Sequence, residues 1–495
     1  MNHPPFKNPT IILSDDVTTN GTLTPLTFFS DGTLRWTDAT GEKRLILEKE
    51  VLGVSMEGCT IILRSCTVEQ GGSGGILCLT TTQVMVRKIF VFQLPQDSVT
   101  VWFRKIREFL NSLGRPKRLL ILVNPYGGQK TAMNILVDIV KPLLEDAETE
   151  FKIEETKYQL HAKQIASELD LTMYDGIVCV SGDGVLVEVI NGLLQRDDWK
   201  TAIKMPLGPI PAGTGNGVAK SVLDSVGEPC SATNATLAIL RGHKRSLDVT
   251  TISQGKTRFF SVLMLAWGLV ADIDIESEKW RWMGSARLDL YAIQRILNLR
   301  KYNGRIHFVP ASGFEEYARK ISEEAVSSAK DLAFCSSSNI DDGAHEKGYV
   351  GPDLNLEKLD WRTIEGPFIS VWIHNVPWGS ESAMPAPDAK FSDGFVDVVL
   401  VKDGSKLGLL SLMTEHSNGN HVKSPHVLYF KVKAFILEPG TRTSESTKEG
   451  IIDSDGEVLA RGKGAYKCNQ KTLMSYDKMV LTVDQALATL FSPPT

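Results

Sequence analysis

Residues 178–194, VCVSGDGVLVEVINGLL, join an apolar run to a stretch with helical apolar spacing, and Gly182-Asp183-Gly184 stands between them. A short β-branched run ending at glycine reads as a buried strand, and the stretch after it reads as an amphipathic helix. In open α/β sheets ligands bind at the carboxyl ends of strands, where loops turn into helices. A charged side chain between two glycines at such a turn is therefore a candidate for chemistry.

Strands and helices alternate on both sides of this centre. RLLILV (118–123), FKIEET, HAKQIASELDL, DGIVCVSG, VLVEVINGLL, MPLGPIPAG and NGVAKSVL follow in βαβ order, which predicts a mostly parallel sheet flanked by helices. Upstream, residues from about 20 to 96 read as short alternating strands: TPLTFF, GTLRWTD, KRLILEKEVLGV, TIILRS, GILCLTT and KIFVFQL, with Asp31-Gly32 as a hairpin signal. A helix follows, with Asp97 or Ser98 as N-cap and Val99, Trp102, Ile106, Phe109, Leu110 and Leu113 on one face. Antiparallel strands closed by one amphipathic helix resemble a pleckstrin-homology-like (PH-like) β-barrel. The basic run Arg104, Lys105 and Arg107 suits either an anionic membrane or the helix's own dipole.

Beyond about residue 246 strands dominate: TRFFSVLMLAW, FISVWIHNV, DGFVDVVLV, VLYFKVKAFILEP and KMVLTV, interrupted by a helical stretch from about Glu278 to Leu299. Residues 311–361, rich in Ser, Ala, Glu and Lys with little periodicity, read as a flexible surface insertion. The expected division is 1–115, a PH-like domain; 116–245, an α/β nucleotide-binding domain; and 246–495, a β-rich domain.

Composition narrows the class. A chain of 495 residues is too long for one ordinary core. Its 42% hydrophobic content suits packed domains, and a net charge of −5 gives no pull toward nucleic acid, which is not expected as a partner. The seven cysteines are scattered, odd in number and without Cys-x-x-Cys, so a reducing compartment is expected rather than disulfides or zinc. MNHPPFKNPTIILSDD has no basic-then-apolar signal pattern, and no apolar run reaches the ~18 residues of a membrane span. A cytoplasmic protein is expected.

Three strand ends carry glycine-rich loops: Asn124-Pro125-Tyr126-Gly127-Gly128, Ser181-Gly182-Asp183-Gly184 and Ala212-Gly213-Thr214-Gly215-Asn216. Glycines let backbone amides approach phosphate closely, and the following helix N-termini favour anions. No G-x-x-x-x-G-K-[ST] occurs, and Gly213-Thr214-Gly215 does not extend to G-x-G-x-x-G, so neither a Walker site nor a dinucleotide pocket is indicated. In this order the loops resemble the diacylglycerol kinase catalytic superfamily. Residues 266–287, AWGLVADIDIESEKWRWMGSAR, narrow the likeness to sphingosine kinases, or long-chain-base kinases. The resemblance runs from roughly Leu119 to Val309 and resumes from about Pro367 to Phe491.

The resemblance implies an α/β nucleotide domain followed by an antiparallel β-sandwich lipid domain, with the active site between them. It implies ATP and Mg2+ as cofactors, a sphingoid base as substrate and peripheral association with intracellular membranes. Asp183 is then the candidate general base for the acceptor hydroxyl, with helix capping and metal ligation as alternatives. By the same likeness Asn124, Pro125, Tyr126, Thr156, Glu188, Gly213, Thr214 and Gly215 line the nucleotide, and the loop Ser181, Gly182, Asp183, Gly184 also faces the lipid headgroup. Arg281 and Arg287 match two arginines that reach the ATP phosphates, with solvated helix charges as the alternative. Asp455-Gly456-Glu457 matches an acidic turn near ATP and magnesium; read alone it is a hairpin turn, and no metal ligand is assigned.

Two positions depart from the family pattern. Lysines usual after the first glycine pair are replaced by Gln129-Lys130-Thr131, leaving Lys130 as the phosphate candidate, and Met264 stands where a small polar residue is usual. Asp272 and Asp274 share a face if their segment is extended, and the resemblance selects Asp274 as partner of a sphingoid ammonium. Ceramide and diacylglycerol carry no such cation, so a kinase for them is the alternative, and a lipid-binding scaffold without catalysis is another.

Overall fold

The computed structural model describes residues 9–71, 82–128, 130–316, 347–467 and 471–494. The N-terminal strands are β1 (Ile11–Thr19), β2 (Thr22–Phe29), β3 (Thr33–Asp38), β4 (Gly41–Ile46), β5 (Val51–Glu57), β6 (Thr60–Gly71) and β7 (Thr82–Gln93). They form one antiparallel sheet in the order β4-β3-β2-β1-β7-β6-β5. The helix Val99–Ser112 inserts Trp102, Ile106 and Leu110 among Phe28, Leu34, Leu63 and Phe92. Trp102 keeps its indole N–H satisfied by donating to Asp15 at 2.6 Å.

Some local expectations fail here for local reasons. Strand β1 begins upstream of the expected start. KRLILEKEVLGV is two strands, because the helical turn Leu47–Glu50 lies between β4 and β5 and the Glu50 carboxylate accepts the Ile46 amide at 2.6 Å. GILCLTT falls outside the described residues. Arg107 bonds Glu148 at 2.6 Å and the Val54 carbonyl at 2.9 Å, tying this unit to the next.

The central unit has β8 (Arg118–Val123), β9 (Glu150–Glu155), β10 (Gly176–Ser181) and β11 (Leu207–Pro211), parallel in the order β9-β8-β10-β11. The helix Asp183–Leu194 is buried on nearly every side rather than amphipathic, with Val185 to Val187 and Val189 to Leu194 inside.

The remaining strands are β12 (Lys244–Gln254), β13 (Thr257–Ser261), β14 (Met264–Gly268), β15 (Tyr302–Pro310), β16 (Arg362–Glu365), β17 (Ser370–His374), β18 (Val396–Val401), β19 (Leu428–Arg442), β20 (Ile451–Ser454), β21 (Glu457–Arg461) and β22 (Met479–Phe491). They pair antiparallel among themselves, and β22 also meets β11 in parallel at Leu207↔Leu490. One mixed sheet thus runs through both units, and Phe491 packs with Ile121 and Val178 of the parallel strands. Gly176 leaves that ring its space, since a Cβ there would sit 2.5 Å from it.

The helical stretch expected from Glu278 to Leu299 is broken into a 3-10 stretch Ser277–Met283 and the helix Ala286–Leu297, and a further helix, Leu269–Glu276, precedes them. Gly284, with φ 63°, makes the break. Asp272 and Asp274 therefore lie on a helix, not an extended segment, and point to different partners. Of the expected insertion, residues 317–346 lie outside the described ones, whereas its end packs on the core: the Tyr349 ring lies 4.4 Å from that of Trp199, and its amide bonds Leu194 at 2.7 Å. Among the described residues no helix is long and apolar enough to cross a membrane.

Candidate active site

Three glycine-rich loops meet at the ends of β8, β10 and β11. A Cβ on Gly213 would lie 2.3 Å from the Gly182 Cα, and one on Gly128 would lie 3.1 Å from the Gly213 carbonyl carbon, so backbone touches backbone. Two of the loops are shaped by a short polar side chain. Asn124 accepts the amides of Tyr126 and Gly127 at 3.0 and 3.1 Å, and Asn216 accepts that of Gly213 at 2.9 Å while donating to Glu381 at 2.6 Å.

Asp183 opens its own helix but caps another. Its oxygens accept the amides of Gly217 and Val218 at 2.8 and 3.0 Å, at the start of the helix Gly217–Asp224. Burial raises its pKa above the ordinary carboxylate value, and the amides oppose that rise. The capping and catalytic readings are compatible, because each oxygen keeps a lone pair for a proton.

A cavity of ≈ 440 Å³ starts here. Of the residues singled out from sequence, Asn124, Gly182, Asp183, Gly184, Glu188, Gly213, Thr214, Gly215, Asp274, Arg281, Arg287, Asp455, Gly456 and Glu457 line it. Pro125, Tyr126, Lys130, Thr156 and Ser181 do not. Tyr126 and Lys130 are exposed, Thr156 is buried with its amide on the Val123 carbonyl, and Ser181 donates to the Gly182 carbonyl at 2.7 Å.

The acidic side chains are held by protein donors. Glu188 accepts the Leu160 and Ala162 amides, each at 3.0 Å, and its pKa is raised by burial. Asp455 accepts the Leu263 and Met264 amides, each at 2.8 Å, and Glu457 accepts Gln159 at 2.6 Å. Burial pushes both acids up to about 7. The Asp455 bonds also explain why TRFFSVLMLAW is two strands: those amides leave the ladder between β13 and β14.

Arg287 is buried against acids: it pairs with Glu278 at 2.6 Å, lies 3.7 Å from the Asp274 carboxylate and donates to the Asp274 carbonyl at 3.0 Å. It also donates to Ser277. Arg281 is half exposed and pairs with Glu278. Asp272 points away from the cavity, accepting the Tyr302 hydroxyl at 2.7 Å and pairing with Arg300 at 3.1 Å. The cavity also has an apolar lining, which includes Ile273, Ala292, Ile296, Val399 and Leu412.

Residues 118–252 match the diacylglycerol kinase catalytic domain, and residues 358–474 match the YegS C-terminal NAD kinase beta sandwich-like domain. Sphingosine kinase 1 of Arabidopsis thaliana is 58% identical over 97% of this chain and 96% of its own length. Sphingosine kinase 2 of the same plant is 56% identical over 100% of both. The chain belongs to the sphingosine kinase family. A more distant member, sphingosine kinase 2 of Homo sapiens, is 42% identical where 71% of this chain covers 69% of that one. The antiparallel unit is accordingly the family's β-sandwich, and the enzyme is a kinase with ATP as phosphoryl donor.

Sequence reasoning missed two parts of this kinase's site. One is a wall of Trp372, His416 and His421 with His374 behind it. Burial holds these imidazoles neutral, with His416 and His421 pushed down to about 3 and 4. Their spacing carries no motif. The other is Asp453, two residues before Asp455, whose buried carboxyl neighbours that of Asp274. Met264 meets the cavity, but its sulfur takes the Trp372 indole N–H at 2.9 Å. For magnesium the fit is poor: among the described residues no three His, Cys, Asp or Glu groups converge as a metal site. The acids Glu188, Asp455 and Glu457 that line the cavity are occupied by amides and Gln159.

Proposed function

We propose that this kinase transfers the γ-phosphoryl group of ATP to the primary hydroxyl of a sphingoid long-chain base, giving the 1-phosphate and ADP. The observation that carries the reading is one cavity lined by the glycine loops and Asp183, by Asp274 and by a set of apolar side chains. The loops around Gly127, Gly182 and Gly213 take the phosphates through backbone amides, and Arg281 adds a cation. The acceptor oxygen attacks the γ-phosphorus, the bond to ADP breaks, and the hydroxyl proton passes to Asp183. Asp274 receives the ammonium, which loses hydration in a closed cleft and needs an anion in return. A magnesium ion would be held by the nucleotide phosphates rather than by these residues, and would supply charge neutralisation there.

The assignment of residues 1–115 as a PH-like unit, 116–245 as the nucleotide domain and 246–495 as the lipid domain completes this reading. The cavity's apolar lining takes the hydrocarbon chain. Trp282, Leu290, Ile293, Leu297 and Leu407 are exposed on and beside the helices Ala286–Leu297 and Lys406–Glu415 that flank this lining. Such a patch supports peripheral docking on a membrane, from which the substrate is drawn. Labelled ATP offered with sphingosine, phytosphingosine, ceramide and diacylglycerol tests the whole. Phosphorylation of the two amines alone is expected; equal use of ceramide or diacylglycerol removes the ammonium argument, and no transfer to any of them removes catalysis.

A further inference from the structure

We propose that Asp453 is a positioning residue for the lipid substrate: its protonated carboxyl donates a hydrogen bond to Asp274 and holds that carboxylate toward the cavity. Asp453 lies on β20 beside β14, fully buried, where the helix Leu269–Glu276 packs over the sheet. Its carboxyl contacts that of Asp274, and neither of its oxygens receives a hydrogen bond from a donor group elsewhere. Two carboxylates in contact cannot both stay ionised, so the pair shares one proton. Position assigns that proton to Asp453. It is the deeper partner and has Asp455 and Glu457 as further acidic neighbours, whereas Asp274 faces Arg287 at 3.7 Å. Burial and these neighbours raise Asp453 well above the ordinary range.

The consequence concerns binding rather than chemistry. Glu278 takes Arg287 more closely, at 2.6 Å against 3.7 Å, so the Asp274 carboxylate is the looser of the two acids on that guanidinium. A neutral donor behind it orients the carboxylate without adding a second negative charge, leaving one lone-pair face for an incoming ammonium. An anchor that acts alike on bound substrate and transition state changes KM and leaves kcat in place.

The inference rests on Asp274 as ammonium partner, and the test separates the two. In the full-length chain with sphingosine, Asp453→Val removes the donor and raises the sphingosine KM about 10-fold, the effect of one charge-assisted hydrogen bond. The ATP KM and kcat stay within about twofold of the parent. Asp453→Asn restores an N–H donor and keeps the sphingosine KM within about threefold. Added to Asp274→Asn, Asp453→Val has no further effect, because it acts through Asp274. Melting curves confirm folding, and Asp453→Ala replaces a valine variant that does not fold. An unchanged KM in Asp453→Val, with Asp274→Asn impaired, overturns this proposal and spares the ammonium reading. A silent Asp274→Asn overturns both. Asp453→Asn as impaired as Asp453→Val, or an ATP KM that rises alongside, also overturns it.

Discussion

Asp183 meets the cavity with both oxygens already held by backbone amides, so its geometry is set before any substrate arrives. Asp183→Asn removes the base and turns an amide N–H against one of those donors. Turnover falls by about 10²–10⁴-fold with the ATP KM little changed, and the melting temperature drops because one backbone N–H loses its acceptor. A folded variant with near-parental turnover would show that the proton leaves by another route. At Asp274 the effect belongs to one substrate: Asp274→Asn weakens use of sphingosine by about 2–5 kcal/mol, or about one and a half to three and a half decades, and leaves ATP binding intact in a titration with nucleotide alone. Asp455 carries a pH signature. Its folded value near 7, against an ordinary 3.8, means that the folded chain holds a proton the unfolded chain has released between those limits, so stability from this group is lost as pH rises. His416 and His421, pushed down to about 3 and 4, act in the opposite sense as pH falls below 6.5, which masks the effect in the parent. Comparison with Asp455→Asn isolates it: the variant gains on the parent in melting temperature between about pH 4 and pH 7.

At the scale of elements, the site depends on loops that approach closer than side chains allow. Gly213→Ala would place a Cβ 2.3 Å from the Gly182 Cα and 2.6 Å from its nitrogen, with backbone on both sides and nothing flexible to yield. It is expected to cost about 1–3 kcal/mol of stability and to raise the ATP KM. At Gly184 the nearest atoms are 3.9 Å away, so Gly184→Ala leaves the melting temperature nearly unchanged. If the two variants melt alike, close loop contact is not what those glycines serve. The helix Leu269–Glu276 has a comparable dependence at its start, where Gly268 has φ 86° and a Cβ would meet the Ile369 carbonyl at 2.5 Å. That turn swings Asp274 over β20.

Across the whole molecule, the N-terminal unit is clamped onto the central α/β unit. Arg115 donates to the carbonyls of Leu47, Glu48, Val51 and Leu52, and burial without a carboxylate partner pushes its pKa down to about 10. Around it Arg64 and Arg107 reach Glu148, Arg87 reaches Asp146, and Leu52 and Cys66 join the core beneath β8. Arg115→Ala strands those carbonyls and is expected to cost about 3 kcal/mol or more. Limited proteolysis near residues 113–117 should then release the N-terminal unit sooner than in the parent, and equal cleavage rates would show that the surrounding ion pairs suffice. The other link is β22, whose Leu490 and Phe491 return the last strand to the central α/β unit.

What could be read from the chain alone was local in origin. Apolar runs leading into glycine-rich loops marked β8, β10 and β11, three-and-four spacing marked the buried face of Val99–Ser112, and the glycine loops with Asp183 marked part of the cavity lining. These signals rest on backbone sterics and on periodicity within one element, which neighbours in sequence control. Tertiary structure decided the rest. ADIDIESEK alternates like a strand, yet Gly268 starts a helix there, because Asp272 pairs with Arg300 and Tyr302 while Asp274 turns toward Arg287 and Asp453. TRFFSVLMLAW is one apolar run, yet Asp455, almost two hundred residues on, takes two of its amides and divides it. Asp453 and the histidine wall gained their environments only when strands remote in sequence became neighbours. A carboxyl's protonation and an imidazole's neutrality depend on what surrounds them in space, and in this kinase those surroundings are supplied by chain far away.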